Sequence, residues 1–289
     1  MRNLTAVALI LSIVTGVSLR AYSPTIEQKE AIRKSFDLSR SSSARRVEVD
    51  NVHGSIHVTG YNGREVELVA NRTVRADTSE KAQQALQEVQ LDISQHDNTV
   101  RLYVDGPFRC HCPDGSFGDR RWQEPGYKVS FDFDLKVPVD SSLFLRTIND
   151  GDIKVENVAG DYDIKNINGG IEMNEISGSG QVYALNGRVK VLFRENPRSP
   201  SSFGSLNGNV DLYFLPDLSA DLRFKTFNGQ VYSDFPVTYV PIVNSPGERQ
   251  NGKFVYKSNR FSSARVGRGG PEIKLDGFNG DIRVLQRER

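Results

Sequence analysis

The chain has 289 residues, long enough to bury a sizeable core, and its 37 Lys and Arg against 36 Asp and Glu leave a net charge of +1. The charges are interspersed without a basic stripe, which argues against nucleic acid as a partner. Glycine is plentiful at 25 residues, and the short β-branched segments between the glycines favour many strands and turns over helices.

The N-terminal segment has the features of an export signal. Arg2 supplies a basic start, and Leu4 to Leu19 form an apolar stretch shorter than the ~20 residues of a membrane-spanning helix. No Cys follows this stretch closely, which excludes a lipid anchor on Cys. We therefore expect a signal peptide over 1–21, a linker over 22–45, no later membrane span, and a location in the periplasm or at the cell surface. An uncleaved anchor and a cytoplasmic protein are the alternatives.

An internal repeat dominates the centre of the chain. Gly151, Gly160, Gly169, Gly178 and Gly187 stand nine residues apart, and apolar residues recur two, four and seven positions after most of them. The step from +2 to +4 is typical of a short strand with one buried face, and the step from +4 to +7 is typical of a corner. Each unit is therefore predicted to be one strand and one turn.

Asn-Gly pairs mark many of these corners, and glycine suits a turn that needs a positive φ. The predicted structural turn glycines are Gly54, Gly151, Gly160, Gly169, Gly178, Gly187, Gly208, Gly229 and Gly280.

Two architectures fit such units. In an antiparallel meander each Asn-Gly is a hairpin turn. In a β-solenoid each unit is one side of a coil, so about 18 residues complete a rung. The strict period and the apolar positions that stay in register favour a mostly β, parallel β-helix-like solenoid with one short helix.

The same spacing returns near both ends, from Val47 to Val58 and from Ile273 to Val284. One domain is therefore predicted over 46–289, with a helix-containing insert at about 61–137 and a loop insertion at about 235–261. Within the insert, Asp77 to Val89 is predicted as a helix with a capping-box-like start at Asp77 and Glu80. Strands are predicted around it, and we expect the insert to cap the N-terminal end of the repeat.

The ordered pattern resembles the putative-adhesin family of bacterial β-solenoid domains, a family of unknown function. The resemblance rests on the segment Val47 to Val58, the strand–helix–strand insert, the strand Phe131 to Val137 and the tandem Asn-Gly units, and it covers about residues 45–285. It implies export, a place in the cell envelope and an adhesive or structural role. It carries no catalytic residues.

Cys110, His111 and Cys112 form the one cluster of soft metal ligands. A closed zinc site needs four ligands, and no second Cys or His pair is present. Metal binding, a strained local disulfide and free thiols all stay open. Calcium binding in the manner of nonapeptide β-rolls is disfavoured because the turns lack a repeated Asp, and we expect no cofactor.

An enzyme is the rival class, because parallel β-helices also carry polysaccharide lyases and hydrolases. Asp132 and Asp134 share the outward face of one strand at a spacing that suits a carboxylate pair. No basic residue or aromatic platform accompanies them, so a solvated face is the simpler interpretation. Four tyrosines are candidates for a shared binding face: Tyr183, Tyr232, Tyr239 and Tyr256.

The sequence thus predicts a non-catalytic structural or adhesive module of the cell envelope, with an envelope protein or a glycan surface as partner. The alternative is a carbohydrate-active enzyme on a β-helix.

Overall fold

A computed structural model describes residues 26–38, 44–109, 125–241, 248–250, 253–255 and 261–287. This part of the chain is mostly β, with one helix and two large mixed sheets that do not close. No helix among these residues has the length and apolar character needed to cross a membrane. The predicted signal peptide and the Cys110–Cys112 loop lie outside the described residues.

The N-terminal part contains eight strands and the helix. Their bounds are β1 (Ile26–Asp37), β2 (Arg46–Asp50), β3 (Ile56–Tyr61), β4 (Glu65–Ala76), α1 (Ser79–Glu88), β5 (Gln90–His96), β6 (Thr99–Asp105), β7 (Tyr127–Pro138) and β8 (Ser142–Thr147).

The nine-residue repeat forms the next seven strands. These are β9 (Ile153–Glu156), β10 (Tyr162–Asn166), β11 (Ile171–Ile176), β12 (Gly180–Asn186), β13 (Val189–Phe193), β14 (Ser201–Asn207) and β15 (Val210–Phe214).

The C-terminal part adds eight strands. These are β16 (Ala220–Lys225), β17 (Val231–Ser233), β18 (Val237–Val240), β19 (Glu248–Gln250), β20 (Lys253–Val255), β21 (Ser262–Val266), β22 (Glu272–Asn279) and β23 (Ile282–Gln286).

The first sheet has the order β1-β4-β7-β3-β9-β11-β13-β15-β23-β17, and the second has the order β18-β21-β16-β22-β14-β12-β10-β8-β2-β6-β5. From β8 to β15 the chain alternates between the two sheets at every strand. Strands of the same sheet pair in parallel at an offset of 18 residues in the repeat, as in Ile164 with Val182 and Met173 with Val191. The hairpin meander is therefore wrong for this stretch, because it requires antiparallel pairs between consecutive strands.

Alternation within each strand explains why the sheets face each other. The apolar residues of each unit point inward, and Ile153, Val155, Ile171 and Met173 are all buried. Each such side chain contributes about 1.5–3 kcal/mol on burial. Aromatic side chains join the sheets near the C-terminal rungs, where Phe203 meets Phe193 edge-on at 5.8 Å between ring centroids.

The spatial order of the last repeats differs from their order in the sequence. The C-terminal pair β22 and β23 lies between the pair β14 and β15 and the pair β16 and β17. Parallel pairing of β14 with β22 and of β22 with β16 fixes this arrangement. Asn207 therefore neighbours Asn279, and Asn228 neighbours Asn279 rather than Asn207.

The insert at 61–137 extends both sheets beyond the first repeat unit. Strands β4 and β7 continue the first sheet past β3, and β5 and β6 continue the second sheet past β2. The predicted strands here are confirmed. The helix is also confirmed, but Thr78 is its N-cap rather than Asp77, because the Thr78 hydroxyl accepts a hydrogen bond from the Lys81 amide at 3.2 Å.

Candidate interaction surface

One corner of the fold repeats along its length. We call it the ladder corner: the set of turns that lead from a second-sheet strand into the next first-sheet strand, in spatial order from β2–β3 and β8–β9 through β22–β23 to β16–β17. Three rows of residues run along it. The first is a column of stacked glycines, the second is a row of asparagines on the surface, and the third is a row of apolar side chains beside the asparagines.

The glycine column brings backbones into close contact between rungs. A Cβ on Gly169 would lie 2.2 Å from the Gly151 carbonyl oxygen, and a Cβ on Gly187 would lie 2.1 Å from that of Gly169. These distances are far below any real carbon–oxygen contact, so only glycine fits. In spatial order the column is Gly54, Gly151, Gly169, Gly187, Gly208, Gly280 and Gly229.

Most of the predicted turn glycines are therefore required by the close contact between backbones of neighbouring rungs, and not by a positive φ as predicted from the sequence. Among the nine, φ is positive at Gly54, Gly178 and Gly280 and at none of the other six. Gly160 and Gly178 stack at the opposite corner, where a Cβ on Gly178 would lie 2.6 Å from the Gly160 carbonyl oxygen.

Buried polar side chains complete the column from inside. Thr147 donates to the Gly54 carbonyl at 2.9 Å, Asn166 to that of Gly151 at 3.0 Å, and Ser205 to that of Gly187 at 2.8 Å. Because a buried carbonyl without a partner is costly, these hydrogen bonds stabilise the corner.

The asparagine ladder is a continuous chain of amide hydrogen bonds on the surface of the corner. From the second rung onward, each side-chain NH₂ donates to the amide oxygen of its neighbour in the preceding rung at 2.6–2.8 Å, and Asn149 in the first rung accepts. All members except half-buried Asn149 are exposed. In spatial order the ladder is Asn149, Asn168, Asn186, Asn207, Asn279 and Asn228.

The apolar ridge is the row of residues immediately before the ladder asparagines. Its members are Ile148, Ile167, Leu185, Leu206, Phe278 and Phe227. Phe227 is 64% exposed and Phe278 is 43% exposed, and their rings stack at 5.0 Å with an interplanar angle of 5°. The ridge is thus a row of half-buried and exposed apolar side chains beside the asparagines, and its two stacked rings occupy the last two rungs.

A notch of about 200 Å³ opens on the other side of the ladder, on the outer face of the first sheet. Its floor is Gly170, which follows the column glycine Gly169 and has no side chain where the neighbouring rungs carry Asp152 and Arg188. The Asp152 carboxylate accepts from the Gly170 amide at 2.7 Å, and the Arg188 guanidinium pairs with buried Asp211 at 2.6 Å.

Charges surround the notch. Glu172 pairs with Lys190 at 2.9 Å, and the hydrogen bond from Lys190 holds the pKa of Glu172 below its ordinary value. Lys154 also lines the notch, opposite Glu172 in the neighbouring strand, and its charge also lowers the pKa of Glu172. With Asp152 also lining the notch and buried Asp211 paired with Arg188, the positive and negative charges at the notch balance.

The other predicted site residues are dispersed. Asp132 accepts hydrogen bonds from the amide and the hydroxyl of Ser55 at 2.9 and 2.7 Å, which link it to the segment before the neighbouring strand β3. Asp134 lies 3.5 Å from His57. Cys110, His111 and Cys112 lie outside the described residues, within which no three His, Cys, Asp or Glu side chains form a metal-binding group.

The tyrosines do not form one face. Tyr183 points outward from the second sheet and Tyr232 outward from the first, so they lie on opposite sides of the fold. Tyr239 lies on the edge strand β18, and Tyr256 falls outside the described residues.

Neither the ladder nor the ridge is among the features predicted from the sequence. Asn-Gly pairs were interpreted as turn chemistry alone, yet Asn168, Asn186, Asn207, Asn228 and Asn279 all precede a column glycine. An apolar residue before each Asn was the signal for the ridge, because it breaks the alternation of the preceding strand.

No family model and no curated protein matches the chain. Solved structures of low identity are similar to it. One is a putative cell adhesion protein from Clostridium sporogenes, with 10% identity, a TM-score of 0.42, and coverage of 90% of this chain and 100% of the other. A putative adhesin from Bacteroides fragilis has 8% identity, a TM-score of 0.26, and coverage of 89% and 97%.

A putative lipid binding protein from Parabacteroides distasonis has 10% identity, a TM-score of 0.23, and coverage of 91% and 97%. All three TM-scores are below 0.5.

Proposed function

We propose that this chain is an exported, non-catalytic interaction module of the cell envelope, built as a two-sided β-solenoid. Its repeat domain spans 46–289 after a signal peptide over 1–21, and the segment 22–45, predicted as a linker, contributes strand β1 to the first sheet. The nine turn glycines serve as structural positions. The partner is an envelope component that binds along the ladder corner.

The observation that carries the proposal is the continuity of that corner. Six rungs present an amide ladder beside an apolar ridge, and neither row is needed to fill the core. Three ridge residues, Ile167, Phe278 and Phe227, are exposed, and exposed apolar side chains that lie together on a surface often mark a binding site. The glycine column and its buried hydrogen bonds hold the rungs in register.

The carbohydrate-active alternative has less support. Glycoside hydrolysis needs two carboxylates free to act on one bond. Asp132 is committed to Ser55 through two hydrogen bonds, and its strand neighbour Asp134 lies on an open sheet face beside His57.

Sedimentation with isolated envelope fractions tests the proposal. The purified protein is expected to sediment with the fractions, and Phe227→Ser is expected to weaken this binding about fivefold because it removes the most exposed ring of the ridge. Tyr239→Ser is the matched control, since it removes a 74%-exposed aromatic ring away from the ladder corner. Absence of sedimentation, or equal losses in the two variants, would overturn the proposal.

A further inference from the structure

The Asn-Gly pairs of the ladder corner are capable of a chemical reaction of their own. In such a pair the glycine amide nitrogen can attack the side-chain carbonyl carbon of the asparagine, because glycine has no Cβ to hinder the approach. The nitrogen gives up its proton, a succinimide ring closes, ammonia leaves, and water then opens the ring to aspartate or isoaspartate. The ladder members that precede a glycine are Asn168, Asn186, Asn207, Asn228 and Asn279.

The inner rungs hold the reacting groups apart, as Asn207 shows. Its side-chain amide donates to Asn186 and accepts from Asn279, each at 2.7 Å, so it cannot turn toward the backbone without losing both hydrogen bonds. The Gly208 amide, which would have to attack, donates to the Asn279 backbone carbonyl at 2.9 Å. Ring closure at Asn207 therefore requires all three hydrogen bonds to open.

Asn279 is held by the same kinds of hydrogen bond. Its side-chain amide donates to Asn207 at 2.7 Å and accepts from Asn228 at 2.8 Å. The Gly280 amide donates to the Asn228 backbone carbonyl at 3.0 Å. Asn207 and Asn279 are therefore the direct comparison for the last rung.

Asn228 is held more weakly, because no further rung of the ladder lies beyond it. Its side chain makes a single ladder hydrogen bond, to the Asn279 amide oxygen at 2.8 Å. In the part of the chain that the structure describes, the Gly229 amide donates no hydrogen bond. Both residues are exposed, and they lead into β17, the three-residue edge strand of the first sheet. Local opening at this turn therefore breaks the fewest contacts.

The remaining candidates do not affect the ladder. Asn149, at its other end, precedes Asp150 instead of a glycine, and the Asp150 side chain hinders ring closure. The pairs Asn62-Gly63 and Asn251-Gly252 are not ladder members, and the second pair lies outside the described residues.

We infer that Asn228 is a site of spontaneous deamidation, which converts the last amide of the ladder into a carboxylate. A carboxylate cannot donate to the Asn279 amide oxygen, so the ladder loses its last hydrogen bond. The reaction also places a negative charge next to Phe227, the most exposed ring of the ridge. This inference goes beyond the proposed interaction function and does not depend on it.

Peptide mapping by mass spectrometry tests the inference on the purified full chain, after incubation at mildly alkaline pH in water enriched in heavy oxygen. Heavy oxygen enters only when a succinimide opens during the incubation, so earlier deamidation is not counted. In the folded protein, Asn228 is expected to deamidate about tenfold faster than Asn207 or Asn279, because ring closure there breaks two fewer hydrogen bonds. Both aspartate and isoaspartate are expected at position 228.

The guanidinium-unfolded chain is the matched control. It keeps the same Asn-Gly pairs without the rungs, so Asn207, Asn228 and Asn279 are expected to deamidate at similar rates. Equal rates at Asn228 and Asn207 in the folded protein would overturn the inference. So would an intact Asn228 under conditions that convert it in the unfolded chain, or aspartate without isoaspartate at this position.

A pair of variants tests the protection that the ladder gives. Asn279→Ala removes the side-chain partner of Asn228 and is expected to speed deamidation there about threefold. Asn168→Ala, near the other end of the ladder, is expected to leave that rate unchanged. Equal effects of the two substitutions would overturn the protective role of the ladder hydrogen bonds.

Discussion

Gly169→Ala is expected to destabilise the protein by about 3 kcal/mol or more, whereas Gly170→Ala is expected to change stability by less than about 1 kcal/mol. The new methyl at 169 would lie 2.2 Å from the Gly151 carbonyl oxygen, and neither backbone can move without breaking the rung spacing. At 170 the nearest atom, the Arg188 carbonyl oxygen, is 3.3 Å away, and the notch gives the methyl room.

Urea denaturation of the two variants measures this difference. The two substitutions are chemically identical and adjacent in the chain, so helix or strand propensity and the unfolded state contribute almost equally to both. Equal unfolding midpoints would contradict the glycine column.

Phe203→Ala is expected to cost about 3–5 kcal/mol of stability, because it empties a fully buried position between the two sheets. Phe203 packs against Phe193 at 5.8 Å and Tyr162 at 6.4 Å between ring centroids, and neither sheet can collapse into the space without losing its register.

Phe227→Ala is the matched control, with an expected loss below about 1 kcal/mol. Its ring lies outside the core, so its removal costs little more than the stacking on Phe278. Thermal unfolding of both variants gives the comparison. A larger loss for Phe227→Ala than for Phe203→Ala would mean that the inward and outward sides of the units are assigned incorrectly.

The sequence predicted the repeat unit well because its physical causes are local. Strand alternation identifies the buried residues, such as Ile153 and Val155, and the constant spacing of glycines locates the turns. The offset of 18 residues between paired strands follows from two such units, and Ile164 with Val182 shows it.

The order of the C-terminal rungs could not be predicted, because the units around Asn207, Asn228 and Asn279 carry the same pattern. Each of these units could pair with either of the other two, and the observed order is set by the strand pairs that form between distant parts of the sequence. The strand β21 pairs antiparallel with β16 on the side away from β22, so β22 lies between β14 and β16.

The ladder corner could not be predicted from the sequence for a related reason. A ladder exists only when residues 18, 19, 21, 51 or 72 positions apart are brought into register, as Asn207 and Asn279 are. A sequence shows that each Asn precedes a Gly, but the hydrogen bonds between them depend on the stacking of whole rungs.

Cross-linking of paired cysteines tests the stacking most directly, in a background with Cys110→Ser and Cys112→Ser. Lys165 and Tyr183 are register partners on the outer face of the second sheet, whereas Lys165 and Glu172 lie on different sheets. Parallel neighbours one rung apart lie within disulfide reach. Lys165→Cys with Tyr183→Cys is therefore expected to form a disulfide under mild oxidation, and Lys165→Cys with Glu172→Cys is not. A disulfide in the second pair alone, which a hairpin at Asn168-Gly169 would give, would contradict the parallel stacking on which the ladder corner depends.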